Sequence, residues 1–359
     1  MNRYLHSSKF LYIVTSSQRR LTMKRISILL LTFLLIGTYL IAQPATETDP
    51  APGTEKTYTI GISKLVSHPA LDAIEQGIMD QLEASEFSVT FDNQNCNGEI
   101  ATAIAIAQKF KSDDKDIVVG IATPAAQALA QIIKDKPVVF GAITDPLAAG
   151  LVVDYTKTEE TNIAGVSDLN PLELQLETYF SIVKPKTLGM IYTSSEANGV
   201  VQMEMAREIS EANGVKFVAA AISNSSEVKM AAQSIIDRVD AMYVAIDNTV
   251  VSAIPSVSEV CMKAGVPLFN TDTTSSENID FLMSWGFNYY TVGVETGKVV
   301  ERIIQGENPK DIGSIFFEDP AQFELWFNLD TADALGITID ESLLANAKVI
   351  IKDGKKQLQ

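Results

Sequence analysis

A chain of 359 residues, 46% of them hydrophobic and 20% charged, is long enough for two α/β units and has ample apolar material for a core. Its formal net charge of −17 is spread through the body without long acidic runs, which disfavours nucleic acid and anionic membrane surfaces as partners, since both require basic patches. The only histidines are His6 and His68 and the only cysteines Cys96 and Cys261, so imidazole and thiol chemistry have little to draw on.

Residues 1–56 have the pattern of an export signal or anchor followed by a linker. Arg19, Arg20, Lys24 and Arg25 precede the apolar run Ile26–Ala42, and a polar, Pro-containing stretch continues to Lys56. Met23-Lys24-Arg25 opens a leader of ordinary length and is the expected start. No cysteine follows the apolar run, and the small-residue cleavage pattern near Ala42–Ala45 is imperfect, so cleaved and anchored forms both stand.

Strand and helix patterns then alternate. Thr57–Ser63 is a predicted strand, Pro69–Ser85 a helix, Ser88–Asp92 a strand and Glu99–Ser112 a helix. In Ile117–Ala130 a β-branched run ends at Thr123-Pro124, where a small-residue helix begins; a buried parallel strand there delivers its C-terminal end to a helix N-terminus, a junction at which α/β proteins bind ligands. A strand follows at Pro137–Gly141, and Asn162–Ser167 lies between the two rounds. A second round runs through strand Thr187–Thr193, helix Asn198–Asn213, strand Lys216–Ala221, helix Ser226–Asp237, strand Ala241–Ala245, helix Val250–Ala264 and strand Pro267–Asn270. In that round Asp247-Asn248 takes the place of Thr123-Pro124. Phe281–Gly286, a helix over Thr291–Gln305, and late strands at Ser314–Phe317 and Glu324–Leu329 end the series, the late strands being expected to complete sheets laid down earlier. The wiring predicts two similar lobes with parallel sheets, crossed more than once by the chain, and therefore a hinge.

Little in this chain supports bond-making chemistry. His68 is the single imidazole after the export segment, and no G-x-S-x-G elbow accompanies it. Gly293–Lys298 imitates a phosphate loop but is one residue short, lies in a helical pattern, and has Val299 where a magnesium-binding hydroxyl belongs. No G-x-G-x-x-G follows the first strand, and no zinc spacing exists, so neither a cofactor nor a metal is expected. Cys96 and Cys261 fall in different lobes and are expected to be free thiols. A carboxylate pair acting as a hydrolase remains an alternative.

His68–Asp72 with Gly77, Asn95–Glu99, Ile121–Ala128, Thr144–Leu151, Ile163–Asp168, Asp247-Asn248 and Leu335–Ile337, in that order and spacing, resemble the ABC-transporter substrate-binding family that includes tryptophan and tyrosine binders, with its type I periplasmic-binding-protein fold. The resemblance implies α/β lobes over 57–168 with 288–315 and over 169–287 with 316–359. It also implies a monomeric, non-enzymatic, extracytoplasmic receptor that captures an amino-acid-like solute and hands it to an ABC permease in the membrane. A membrane-anchored sensor of the same fold is the rival reading. Thr271–Asp280 is more polar than the family pattern suggests, and Cys96 stands where Ala is usual.

A zwitterionic ligand needs donors for its carboxylate and acceptors for its ammonium group. Ser67, His68 and Thr123 precede helices and offer hydroxyls and free N–H groups, though plain N-capping fits Ser67 and Thr123 equally. Asp145 and Asp247-Asn248 end strands and are candidate acceptors; Asp145-Pro146 also suits a loop cap. Glu196, Asn198 and Asp272 occupy equivalent edges, with solvated loop polarity or helix capping as the alternative, and the resemblance adds Asn95. Phe140, Trp285 and Tyr289 are candidates for a side-chain pocket or for core.

Overall fold

A computed structural model describes residues 56–155, 161–317, 319 and 322–359; the expected export signal, and the linker up to Glu55, lie outside the described residues. The first sheet is built from β1 (Tyr58–Lys64), β2 (Val89–Asn95), β3 (Ile117–Ile121), β4 (Val138–Gly141), β5 (Ile163–Val166) and a late strand, Ser314–Ile315, in the order late strand, β5, β4, β3, β1, β2. All its pairings are parallel. Helices α1 (Pro69–Glu83), α2 (Ile100–Ser112) and α3 (Thr123–Ile132) cross between these strands and cover the faces. β3, β4 and β5 are buried at every position, which is why they read as unbroken apolar runs rather than alternating ones.

The second round begins with α4 (Leu172–Val183) and continues through β6 (Thr187–Thr193), α5 (Ala197–Ala212), β7 (Lys216–Ile222), α6 (Val228–Ile235), β8 (Ala241–Val244), α7 (Asn248–Val251), α8 (Ile254–Ala264), β9 (Leu268–Asn270) and β10 (Met283–Phe287). The chain then returns to the first sheet through α9 (Tyr289–Ile304), α10 (Pro309–Ile312) and β11 (Ser314–Ile315). It ends in the second sheet with β12 (Phe323–Asn328), α11 (Leu329–Leu335), α12 (Glu341–Leu344), β13 (Val349–Lys352) and β14 (Lys355–Leu358). The second sheet runs β14-β13-β12-β10-β9-β8-β6-β7 and is parallel except for β10 with β12 and β13 with β14. The chain thus passes between sheets three times: after β5, after β10 and after β11. The late strands do complete earlier sheets, β11 on β5 and β12 on β10. Two mostly parallel α/β sheets joined by three passages of the chain form the architecture implied by the resemblance to type I periplasmic binding proteins.

Each sheet has its own core. Ile60, Phe110, Val119, Phe140, Val292 and Val299 pack about the first, while Tyr179, Tyr243, Phe269 and Phe327 fill one face of the second and Ile191, Val244, Val257 and Trp326 the other. Cys96 and Cys261 are buried free thiols in separate cores. The false phosphate loop is part of α9. Its Gly293 lets α9 lie directly on α1, since a Cβ there would sit 2.2 Å from the Ile74 carbonyl oxygen. The expected helix over Val250–Ala264 is broken after Val251, because Pro255 has no N–H to continue a helix and instead opens α8 in its first turn. Among the described residues no helix is long and apolar enough to cross a membrane.

Candidate functional site

The C-terminal ends of both sets of strands meet between the sheets, where α1 touches the turn Thr274–Ser276 and α3 touches α5. On the second-sheet side the organising group is Glu196, the residue before α5. Its Oε1 accepts from the Thr249 N–H at 2.9 Å and hydroxyl at 2.6 Å. Oε2 accepts from the Asn248 N–H at 3.2 Å, the Asn248 amide at 2.7 Å and the Asn198 amide at 3.2 Å. All five donors are neutral, so no cation compensates this buried carboxylate.

Asp247 is held differently. It caps α7 through the Val250 N–H at 3.1 Å and receives the Thr193 N–H at 2.6 Å and hydroxyl at 2.7 Å, so it ties the end of β6 to the loop that presents Asn248 and Thr249. Burial, and then the neighbouring Glu196 charge, push its carboxyl above the usual range. Asp247, expected at the ligand, thus also caps its own helix, the alternative open to a carboxylate at a strand end.

From the first sheet, His68 follows β1 and sits at the N-cap position of α1 without capping it. It is 7% exposed, and neither ring nitrogen has a protein hydrogen-bond partner. Burial drives its pKa below the ordinary 6.5 even though Asp272, then the Asn248 side chain, which approaches the ring without full hydrogen-bond geometry, and then Asp72 and Glu196 pull the other way, so the ring is neutral at physiological pH. Asp272 follows β9 and accepts from the N–H of Ser275 at 3.0 Å and from its hydroxyl; burial raises its pKa, and His68 opposes that rise.

A fourth buried carboxylate, Asp168, completes the group at the end of β5. The Thr144 hydroxyl donates to it at 3.1 Å and the Tyr289 hydroxyl at 3.3 Å. Burial pushes it up to about 6, and Asp272 adds to the rise. Sequence reasoning placed Asp168 only within a family motif, although an acidic residue ending a buried strand is the signal that picked out Asp247. Thr144 likewise stood only at the head of a family motif, and Thr249 carried no sequence signal of its own. Thr123, also buried, stands in the first turn of α3 rather than before it; Ala122 is the N-cap and takes the left-handed φ of 72° at the strand end.

Four expected residues lie apart from this group. Ser67 is exposed and donates to Asp72 at 2.8 Å. Asn95 ends the edge strand β2 and caps its own turn through the Asn97 N–H at 2.8 Å. Asp145 binds the N–H groups of Leu147 and Ala148, each at 3.0 Å, and the Tyr155 hydroxyl at 2.6 Å, which is the loop-capping alternative. Trp285 lines a separate apolar cavity of about 380 Å³ with Leu169, Asn170, Leu174 and three phenylalanines. Phe140 is core, and Tyr289 is buried against Asp168.

The strand-end cluster therefore combines four buried carboxylates with one neutral imidazole. Among the described residues Lys64 is the buried lysine, and it is bound to Asp72 at 2.6 Å and Glu75 at 2.5 Å, carboxylates that outweigh the burial that would lower its pKa. Among the described residues no three His, Cys, Asp or Glu side chains are arranged to hold a metal ion. Such a cluster suits a small guest carrying positive charge.

Residues 59–351 match the family model described as ABC transporter substrate binding protein. A tyrosine-binding protein of Clostridioides difficile is 34% identical over 287 residues, 79% of this chain and 82% of that one. The ABC domain from Streptococcus pneumonia in complex with L-Trp is 35% identical, with a TM-score of 0.78 over 82% of this chain and all of that one. The ligand-free, open structure of a substrate-binding protein with adhesive properties from Clostridium difficile is 34% identical and covers 82% of this chain and 99% of that one, yet its TM-score is 0.61. At nearly equal identity, this chain's conformation is closer to the L-Trp complex than to the open form. With the family model matching over residues 59–351 and relatives 34–35% identical across about four-fifths of its length, the chain belongs to the ABC transporter substrate-binding protein family.

Proposed function

We propose that this protein is the extracytoplasmic receptor of an ABC importer, that it closes on an aromatic amino acid between lobes 57–168 with 288–315 and 169–287 with 316–359, and that it passes this ligand to a membrane permease. The observation that carries the reading is the carboxylate excess: Asp168, Glu196, Asp247 and Asp272 are buried at the facing strand ends without a partnered cation. An α-ammonium group satisfies that field, with Glu196, Asp168 and Asp272 as its acceptors. The ligand carboxylate is served by neutral donors, His68 and the amides that open α3 beside Thr123. Asn248, Asn198 and Asp247 hold Glu196 and its loop in register. The names of relatives, one tyrosine-binding and one complexed with L-Trp, direct the choice to aromatic amino acids.

Micromolar binding supplies about 8 kcal/mol, enough to offset a few kcal/mol of lobe closure. Residues 1–56 supply the export signal or anchor that puts the receptor outside the cytoplasm. Calorimetry with L-tyrosine, L-tryptophan and their deaminated analogues tests the reading: removal of the amine is expected to weaken binding at least about 100-fold, the loss of a charge-assisted contact in a buried site. Equal affinity for 3-indolepropionate and L-tryptophan would refute it.

A further inference from the structure

The edge of a sheet presents unpaired backbone groups, and proteins protect such edges with charge, proline, a very short strand or a cover. The two sheets end in β11 and β2, and in β14 and β7. β11 has only 2 residues, β14 opens with Lys355-Lys356, and β2 has at its centre Asp92, held by Lys109 and, at 2.9 Å, by Lys115. β7 has no such device. Its interior, Phe217-Val-Ala-Ala-Ala221, is uncharged, contains neither Gly nor Pro, and is half-buried or exposed throughout.

Among the described residues β7 pairs with β6 alone. The Lys216 N–H donates to the Lys186 carbonyl at 2.9 Å, and the Ser194 N–H donates to the Ile222 carbonyl at 3.0 Å. Alternate residues of a parallel strand serve opposite neighbours, so Lys216, Val218, Ala220 and Ile222 turn their backbone groups to β6, while Phe217, Ala219 and Ala221 turn theirs outward. An antiparallel second β7 centred on Ala219 matches outward residue to outward residue: Ala219 meets Ala219, and each Phe217 meets Ala221, every pair exchanging both of its hydrogen bonds. A register displaced by one residue loses this match. The ends agree in charge as well. Lys216 of one copy comes opposite Ile222 of the other, beside the Ser223 N–H that anchors Glu227 at 2.8 Å, and among the described residues neither Lys216 nor Glu227 has an ion-pair partner in its own chain. We infer that this chain forms a two-fold homodimer through β7, in place of the monomer implied by the family resemblance, with the second sheets of two copies joined edge to edge and the first sheets taking no part.

Sedimentation of the full chain tests this, with a dimer Kd expected between about 1 and 100 μM, as suits a small interface. Ala219→Pro removes the central outward N–H and no bond to β6, at an edge position of the kind that accepts proline. Because the two-fold axis repeats the loss in both copies, its dimer Kd is expected to rise at least about tenfold. Val218→Cys and Ala220→Cys read the register in protein without the proline, since these positions face each other across the axis as a non-hydrogen-bonded pair. Mixed and oxidised, the two variants are expected to form the disulfide between positions 218 and 220 at least about fivefold faster than either variant cross-links alone. A chain still monomeric at about 0.5 mM, equal dimerisation by the wild type and Ala219→Pro, or a mixture that cross-links no faster than its components would overturn the inference. None of these outcomes depends on which ligand the cleft takes.

Discussion

Replacing Asp168 by Asn should move stability and affinity in opposite directions. The carboxyl is wholly buried, accepts from Thr144 and Tyr289, and is held at about 6 against an ordinary 3.8. A carboxylate raised in the folded state contributes stability that is fully present below its unfolded value and is lost as pH rises through its folded value. A rise from 3.8 to about 6 corresponds to about 3 kcal/mol, the burden that ionised Asp168 places on the free protein above pH 6. Asn keeps hydrogen-bonding groups beside Thr144 and Tyr289 and removes the charge. Ligand-free D168N should therefore be about 1–3 kcal/mol more stable than the wild type at pH 8, and equal to it below pH 4. Binding responds the other way, because an ammonium ligand requires the ionised form. Wild-type affinity should fall about 11-fold between pH 8 and pH 5 through a group titrating at about 6, whereas D168N should be weaker at pH 8 and lack that part of the slope. His68, whose depressed pKa costs stability as pH falls below 6.5, titrates in both proteins, so the difference between the two profiles isolates Asp168. Thermal melts without ligand and titrations with L-tyrosine at pH 5 to 8 supply both curves. A variant less stable at pH 8 with the wild-type pH slope would refute the assignment.

Three further substitutions separate the site from its supports. Asp247→Ala strands three buried donors, Thr193 N–H, Thr193 hydroxyl and Val250 N–H, and should cost about 3–5 kcal/mol in denaturant unfolding and abolish L-tyrosine binding by releasing the Asn248 loop; normal affinity would contradict its positioning role. Gly77→Ala puts a Cβ 2.4 Å from the Tyr290 carbonyl oxygen, so α1 and α9 must separate at a cost of about 1–3 kcal/mol, read from the urea midpoint; a neutral effect would show that the helix contact is not close. Asp145→Ala removes a loop cap outside the carboxylate cluster and should cost about 1 kcal/mol while leaving the L-tyrosine Kd within twofold; a large affinity loss would return Asp145 to the site.

Strand ends were the legible part of this molecule. Runs such as Ile117–Ile121 and Ala241–Val244 announce buried parallel strands, and the polar residues that follow them, Thr123, Asp247 and Asn248, are found at the facing edges. The direction in which a side chain turns was not legible. An Asp between a strand and a helix has the same sequence signature whether it only caps the turn that follows or also faces a histidine across the gap: Asp247 and Asp272 each accept from the N–H three residues on, and Asp272 in addition feels His68 from the other sheet. Asp168 went unread because its partners, Thr144 and Tyr289, lie 24 and 121 residues away. α4 was hidden by Leu172-Glu-Leu-Gln-Leu176, whose alternation imitates a strand and which follows Pro171 rather than a capping side chain. The terminal hairpin is signalled by Asp353-Gly354 between β13 and β14, a cue that acquires meaning once β12 offers an edge to pair with.

On the proposed reading, the same groups that make the cleft selective also make closure conditional. Bringing the lobes together removes water from both nitrogens of His68 and from carboxylates whose protein partners are neutral donors, so a closed cleft without a guest carries uncompensated desolvation. A bound α-ammonium group supplies the missing positive charge only where residues of both lobes surround it, Asp168 from one and Glu196 and Asp272 from the other. On that reading a preference of the ligand for the closed form follows from the division of the site, and a shift of about 5.5 kcal/mol would carry the population from almost entirely open to almost entirely closed. No dedicated switch is required, because the charge separated across the cleft already couples occupancy to shape.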